Sequence, residues 1–444
     1  MSARDASAAR DPLTELLGRS GSLIEPLGRV VRASGTSVHA VGITAAIGQR
    51  CLIASLDGTH ELLADVVGID GEQVVLFPFG PLHGITNDSV VRVLDERRSI
   101  GFDERMTGLV LDALGRPFGG VPAPECTRFR PLDAPSPDPM TRRPIDTVLE
   151  TGVKVIDSLI SVGVGQRIGI FAMAGAGKST LLSMLARHAK ADVIVIALIG
   201  ERGREVREFI ERTLGEEGMA RSVVVVATSD RPAMERVMAA QAATAIAEGY
   251  RAEGRHVLLL MDSVTRYARA LREVGLSAGE LPVRRGFTPS VFAELPRLFE
   301  RAGTDEHGAI TAFYTVLAED EDNTDPVAEE TRSILDGHIV LSRELGESGR
   351  YPAIDPLASV SRLFTELADE PHRRAAAGLR GLLAKHRDME FLVQIGEYEQ
   401  GADALADLAI ERMPAIREFL EQGADESVPI ERTLEALGAL GGEH

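Results

Sequence analysis

Tryptophan is missing from this chain of 444 residues, cysteine occurs only twice (Cys51 and Cys126), and aromatic side chains make up just 4%. Two thiols are far too few for a secreted disulfide scaffold or a four-thiolate zinc site, so a reducing compartment is expected. With so few rings, stacking platforms for single-stranded bases would be thin. Positive charge is short as well: 48 Lys+Arg stand against 67 Asp+Glu, a formal charge of −19. An acidic surface repels phosphate backbones, so no nucleic-acid partner is expected. No window reaches the ~18 uninterrupted apolar residues of a membrane span. The opening MSARDASAARDPLTELL has no basic stretch leading into an apolar one, so it does not read as a secretory signal. None of the ten histidines forms an H-E-x-x-H pair or a zinc constellation. No Ser/His/Asp or Cys/His nucleophile arrangement stands out either. What remains is an acidic, soluble chain long enough for about two to four domains.

Punctuation and periodicity divide it. Residues 1–23 hold one apolar cluster, Leu13, Leu16 and Leu17, readable as a short oligomerisation helix or as a frayed tail. Across 24–97 come short β-branched segments (RVVRAS, RCLIASL, ELLADVVGI, QVVLFPF, SVVRVL) broken by Gly, Asp or Asn. That spacing suggests a small β-barrel or sandwich closing near Leu94. Residues 115–150, rich in Pro and Gly, read as an irregular linker lying over the following domain. Within 98–367 apolar strands such as ADVIVIALIG and HVLLLMDS alternate with helices such as KSTLLSMLARHA, implying an α/β core around a mostly parallel sheet buried on both faces. From 368 to 444 strand signals fade and a helical domain is expected.

The chemistry concentrates at strand ends. Ala172-Met173-Ala174-Gly175-Ala176-Gly177-Lys178-Ser179 lies between a strand and a helix and keeps phosphate-loop spacing, with Ala in place of the first Gly. Small residues let backbone N–H groups curl around a phosphate, and the helix N-terminus adds positive dipole. Lys178 brings a point charge, and the Ser179 hydroxyl suits Mg2+. Ala172 is tolerable there if its φ is negative. The plain alternative is a Gly-rich turn with a solvated lysine; the flanking strand and helix argue against it.

Asp262 ends the run VLLLM, where open α/β sheets bind ligands and an acid can hold Mg2+ through water. Its competing reading is an N-cap for the helix that follows. Glu201, after another apolar strand, sits in Gly-Glu-Arg-Gly-Arg-Glu, placed to polarise an attacking water; Arg202 beside it can contact phosphate or pair with an acid. Alone, GERGRE would read as a charged turn. Tyr351 and Arg362 flank YPAIDPLASVSR; a base-stacking ring and an arginine finger from another subunit are one reading, a turn with a surface arginine the other. Spacing alone leaves both open. The seven acids of Glu319–Glu330 lack ligand spacing and read as a solvated loop rather than a second metal site.

Taken in order, AGAGKSTLL, ADVIVIALIGERGREVREFIE, RRGFTPSVFAELPRLFERAG, SILDGHIVLSREL and YPAIDPLASVSRLF resemble the rotary-type hexameric ATPases, meaning the ATP synthase catalytic subunit and its protein-export relatives. The resemblance spans roughly residues 25–440 and is strongest toward the type III secretion (injectisome) ATPases. It implies a RecA-like P-loop NTPase core with an N-terminal β-barrel and a C-terminal helical domain. It also implies a homohexamer in the cytoplasm, peripheral to the bacterial inner membrane. Carried over by motif, Gly175, Ala176, Gly177, Lys178, Ser179 and Thr180 cradle ATP, with Ser179 and Asp262 on Mg2+. Glu201 activates water, Arg202 contacts phosphate, Tyr351 stacks on adenine, and Arg362 acts from the neighbouring protomer. Implied partners are a central stalk, peripheral stator proteins, an export gate and chaperone–effector complexes. The work implied is chaperone release and unfolding of exported effectors. From Asp369 onward, 16 acids against 8 Lys+Arg suit a basic or mixed-charge partner, or simply a solvated helical surface. Flagellar export is the nearest alternative, although FLVQIGEYEQGADALADLAIERMPAIREFL looks more like the injectisome group. A non-catalytic ring subunit would be expected to lack Glu201. An RNA translocase would need basic and aromatic barrel residues, and before Phe102 only Phe77 and Phe79 are available.

Overall fold

The computed structural model describes residues 27–94, 98–173, 175–317 and 325–441, with the side chains of Ser34 and Gln394 excluded. The expectation for residues 1–23, and the first half of the acidic Glu319–Glu330 stretch, lie outside them. Two compact units divide the chain after Arg97.

In the first unit, β1 (Gly28–Ser34), β2 (Ser37–Val41), β3 (Arg50–Ala54), β4 (Glu61–Asp70), β5 (Gln73–Pro78) and β6 (Val90–Val93) close into a barrel in the order β1-β2-β5-β4-β3-β6. Alternation does the sorting: Val38 and Ala40, Cys51 and Ile53, Val74 and Leu76 point inward from their strands. Register breaks between Val30 and Arg32 and between Val66 and Gly68 bend the strands where a closed sheet must curve. Arg50 and Asp65 pair at 3.1 Å with both side chains largely buried.

The second unit is organised by one long sheet. Its strands are β7 (Val110–Leu111), β8 (Arg167–Ala172), β9 (Val193–Ile199), β10 (Ser222–Ala227), β11 (His256–Asp262), β12 (Ala309–Leu317), β13 (Gly337–Leu341) and β14 (Ile354–Ser361). Spatially they run β14-β13-β8-β12-β11-β9-β10-β7, every pair along this path parallel except β13–β14, and the short strand Gly303–Thr304 adds a further antiparallel pairing on β12. All seven residues of β9 are buried, as are all six of β10, because helices cover both faces. Each such Val, Leu or Ile contributes roughly 1.5–3 kcal/mol by leaving water.

Two departures from the sequence reading have local causes. The 115–150 stretch is not wholly irregular: Arg128–Pro131 pairs antiparallel with Ser99–Phe102, and Val148–Leu149 with Val162–Gly163. The segment Ile354–Ser361, legible only as a turn with motif residues, is an antiparallel edge strand. Pro356 is compatible with that position because an edge strand leaves one row of N–H groups without a ladder partner. Beyond it, helices Glu370–Gln394, Ala404–Leu420 and Ile430–Gly441 form the expected helical region. Asp369 caps the first of these by accepting the His372 N–H.

Candidate active site

Parallel register brings the chemistry to one edge. Ala172 ends β8 level with Leu317 of β12 and Leu341 of β13, while Asp262 ends β11 level with Leu198 of β9. The phosphate loop, Glu201 and Asp262 therefore leave the sheet at the same carboxyl end, where ligands bind in open α/β sheets.

The loop turns through Ala176 N–H donating to Met173 O at 3.2 Å, with Gly175 and Gly177 at φ 85° and 82°. Those values belong to the left-handed region that glycine enters without a Cβ penalty. Among the described residues Arg285 is the only non-glycine with positive φ, so Ala172 sits in ordinary strand backbone and the missing first Gly costs nothing there. Gly177 starts the helix Lys178–His188, whose first-turn N–H groups open toward the loop. Ser179 is exposed and Thr180 half-buried at its mouth.

Lys178 turns inward. Its Nζ donates to Asp262 Oδ1 at 2.5 Å and lies 3.6 Å from Glu201 Oε1. Thr315, one strand over, donates its hydroxyl to the same Asp262 oxygen at 2.8 Å. On the other side Arg266 Nη2 stands 3.3 Å from Glu201 Oε2, and its Nη1 donates to the Gly200 carbonyl. Two carboxylates and two cations thus share a largely buried corner. Glu201 Oε1 has no hydrogen-bond partner although it is buried. Burial, then the nearby Asp262 charge, raise the Glu201 carboxyl above its usual range, with Lys178 and Arg266 pulling the other way. Glu205 is shifted down: its own burial pushes upward, but its hydrogen bond with Glu201 and the charge of Arg202 outweigh that.

The competing N-cap reading of Asp262 goes to its neighbour. Ser263 caps the helix Val264–Ser277 by accepting from Arg266 N–H, leaving Asp262 free to serve the cleft.

Tyr351 closes the other end. Its ring lies over Gly177, so close that a Cβ there would come within 2.9 Å of Cε1. With Thr180, Lys154, Arg417, Gln422 and neighbouring loop residues it lines an open cleft of about 850 Å³.

Arg202, expected on phosphate, stands apart from the loop, and Arg362, expected to act on a neighbouring protomer, is distant from the loop of its own chain. Arg202 is exposed and pairs with Glu205 at 3.1 Å rather than facing the loop. Arg362 follows β14 at the far end of the sheet: Ser361 is level with Gly337, the first residue of β13, whereas the loop leaves level with Leu341, the last. That separation is about 13 Å along the strands. Its guanidinium donates to the carbonyls of Arg332 at 3.1 Å and Ser333 at 3.4 Å.

Arg266, Thr315 and Glu205 were not legible as site residues. Arg266 lies one helical turn past Asp262, a spacing that could have flagged it. Thr315 is legible only once β11 and β12 are in register, and Glu205 only once the helix Gly203–Glu208 turns it back on Glu201.

Comparison with known proteins adds a second, independent line. The model of the ATP synthase alpha/beta family nucleotide-binding domain matches residues 152–361, and that of the T3SS EscN ATPase C-terminal domain matches 368–439. A type 3 secretion system ATPase of Xanthomonas euvesicatoria is 54% identical over 413 residues, 93% of both chains. The flagellum-specific ATP synthase of Bacillus subtilis is 46% identical, covering 94% of this chain and 95% of that protein. The assembled ATPase EscN from the enteropathogenic E. coli type III secretion system superposes with a TM-score of 0.89 at 45% identity, covering 94% of this chain and 100% of that one. Identity near one half along almost the full length, a shared C-terminal domain and a phosphate loop facing two strand-tip acids agree: the chain belongs to the type 3 secretion system ATPases, within the ATP synthase alpha/beta family.

Proposed function

We propose that this ATPase hydrolyses Mg-ATP with Lys178, Glu201 and Asp262 at the reacting end, Tyr351 under the base, and Arg362 supplied by a neighbouring protomer of a homohexameric ring. The observation that carries the reading is the buried Glu201 oxygen without a hydrogen-bond partner, 3.6 Å from a phosphate-loop lysine that is itself tied to Asp262. Lys178 is held in place by the two acids and is free to exchange them for phosphate oxygens. Glu201 then orients and deprotonates water, its raised proton affinity making it a better proton acceptor than an ordinary carboxylate. Mg2+ usually keeps several waters and takes one or two protein groups besides substrate phosphates. The exposed Ser179 hydroxyl and the Asp262 carboxylate fit that demand, and the ion supplies charge neutralisation when bound. Gly175, Ala176 and Gly177 offer backbone N–H groups, Thr180 lines the cleft mouth, and Arg202 would have to leave Glu205 to reach phosphate.

Arg362 is too far from the loop of its own chain to serve it, which supports a finger acting between protomers. The relative EscN has been solved assembled, and also in complex with its central stalk EscO. By analogy the helical region of this chain would meet a stalk, and the ring would work with stator proteins and an export gate on chaperone–effector complexes. Chaperone release and effector unfolding would be its output. No helix among the described residues is long and apolar enough to cross a membrane, so a place at the inner face of the inner membrane would be peripheral.

The test is turnover per subunit against protein concentration for wild type and Glu201→Gln. The wild-type rate should climb as rings form. Glu201→Gln should bind ATP yet lose about 10²–10⁴-fold in kcat. Undiminished turnover in the variant would sink the assignment.

A further inference from the structure

Tyr351 is 37% exposed, so packing alone does not fix where its ring stands over the phosphate loop. Its backbone is fixed from elsewhere. The Tyr351 carbonyl accepts the backbone N–H of Gln422 at 2.8 Å, from the segment after helix Ala404–Leu420. Gln422 is buried, and both its amide N–H groups and its amide oxygen are engaged. Nε2 donates to Gly152 O at 2.6 Å and to Glu426 O at 2.8 Å, while Oε1 accepts the Lys154 N–H at 2.8 Å. Only an amide side chain offers two donors and an acceptor in that arrangement; Glu has no donor and an apolar residue has neither.

The ground to which Gln422 is anchored is itself rigid. The buried Asp157 carboxylate accepts Thr151 N–H at 3.0 Å, the Thr151 hydroxyl at 2.7 Å and Gly152 N–H at 3.0 Å. A continuous chain of bonds therefore runs from Asp157 through Gly152 and Gln422 to Tyr351, whose ring ends over Gly177. Leaving any of these buried groups unpaired carries its desolvation cost, so the chain resists being loosened at one link.

We propose that Gln422 is a positioning residue for the nucleotide base: it holds Tyr351 over the phosphate loop, so that ATP affinity depends on it while the hydrolytic step does not. This rests on reading Tyr351 as the base platform. Gln422 acts only through Tyr351, so loss of either should fall on binding, and loss of both should be no worse than loss of the tyrosine.

The lack of any tryptophan in the chain supplies a clean reporter. In full-length Tyr351→Trp, ATP binding should change the emission of a single indole, and adding Gln422→Ala should shift the titration midpoint to higher ATP. In steady state, Tyr351→Ala should raise KM about tenfold, as expected for a lost stacking contact. Gln422→Ala should raise it roughly three- to tenfold, the double variant should match Tyr351→Ala within about twofold, and kcat should change far less than KM. If Gln422→Ala fails to fold by thermal melting, Gln422→Glu keeps the size and the acceptor for Lys154 but sets a carboxylate oxygen against two carbonyls. The same KM rise is expected from it. An unchanged KM in either folded variant overturns the proposal. So does multiplication of the two effects in the double variant, or a loss confined to kcat. An unchanged KM in Tyr351→Ala with an unresponsive indole instead removes the base-platform reading, and the proposal with it.

Discussion

At the phosphate end of the cleft, Lys178, Glu201 and Asp262 each stand within a residue or a short loop of a buried parallel strand, and the sheet register alone brings them together. At the base end, Tyr351 is placed by an amide from the C-terminal helical region, which is itself anchored on the segment Thr151–Lys154. The first arrangement is rigid because the core of the sheet is rigid: moving Asp262 would mean moving β11 between two neighbours. The second is a bridge between segments distant in sequence, so its stiffness depends on a few buried hydrogen bonds. On the proposed reading, chemistry is mounted on the sheet, while base binding is mounted on a joint between the sheet and the helical region. A change in either partner of that joint should be felt as affinity before it is felt as rate.

The largest break in this comparison would come from Arg362, which belongs to neither end of its own cleft. Arg362→Ala should cut turnover roughly a thousandfold or more if the residue serves the neighbouring phosphate end. Mixing it with Lys178→Ala should restore some activity, because a hybrid interface then pairs an intact lysine with an intact arginine. No recovery at ring-forming concentrations would place the arginine in a structural role at the edge of β14.

A smaller effect should sharpen the account of the phosphate end. Arg266 is one of two cations holding the Glu201 proton affinity down against burial and Asp262. Arg266→Ala should therefore raise that affinity further. Glu201 must be ionised to accept a proton, so the acid limb of the turnover profile should move to higher pH, with kcat at neutral pH falling about tenfold. Stability has its own sign. A carboxyl raised in the folded state carries a charge-burial cost that is present above the folded pKa and relieved as pH falls toward the unfolded value. Glu201→Gln should accordingly melt higher than wild type at neutral pH, by a margin that shrinks on acidification. A margin that grows on acidification would show that Glu201 is held ionised, contrary to the direction argued from its burial.

The same contrast explains what could be read from sequence. A loop of small residues before Lys178, an apolar run ending in Asp262 and a strand running into Glu201 are local patterns, and each implies its place through strand and helix periodicity. The α/β core and the C-terminal helices were legible for the same reason. The β14 edge strand was not, because Pro352 and Pro356 punctuate it like a turn and only its pairing with β13 makes it a strand. Arg266 and Thr315 required register, and Gln422 required the tertiary fold. A glutamine after a helix carries no pattern, and its meaning lies in three carbonyl and amide groups, two of them contributed by the distant segment Gly152–Lys154.

The smallest effect separates the buried and exposed holds on the base end. The loop after Gln422 is also attached to the phosphate-loop helix: Arg187 Nη2 donates to the Ala424 carbonyl at 2.8 Å, and Nη1 pairs with Asp425. The Asp425 side chain is 90% exposed. Water competes for such a pair, so Asp425→Ala should cost at most about 0.5 kcal/mol in stability. Ala424 would remain bonded and the Gln422 amide untouched, so KM for ATP should stay within the error of wild type. If KM instead rises as far as in Gln422→Ala, the exposed ion pair shares the load, and the base end is held by the whole loop rather than by one buried amide.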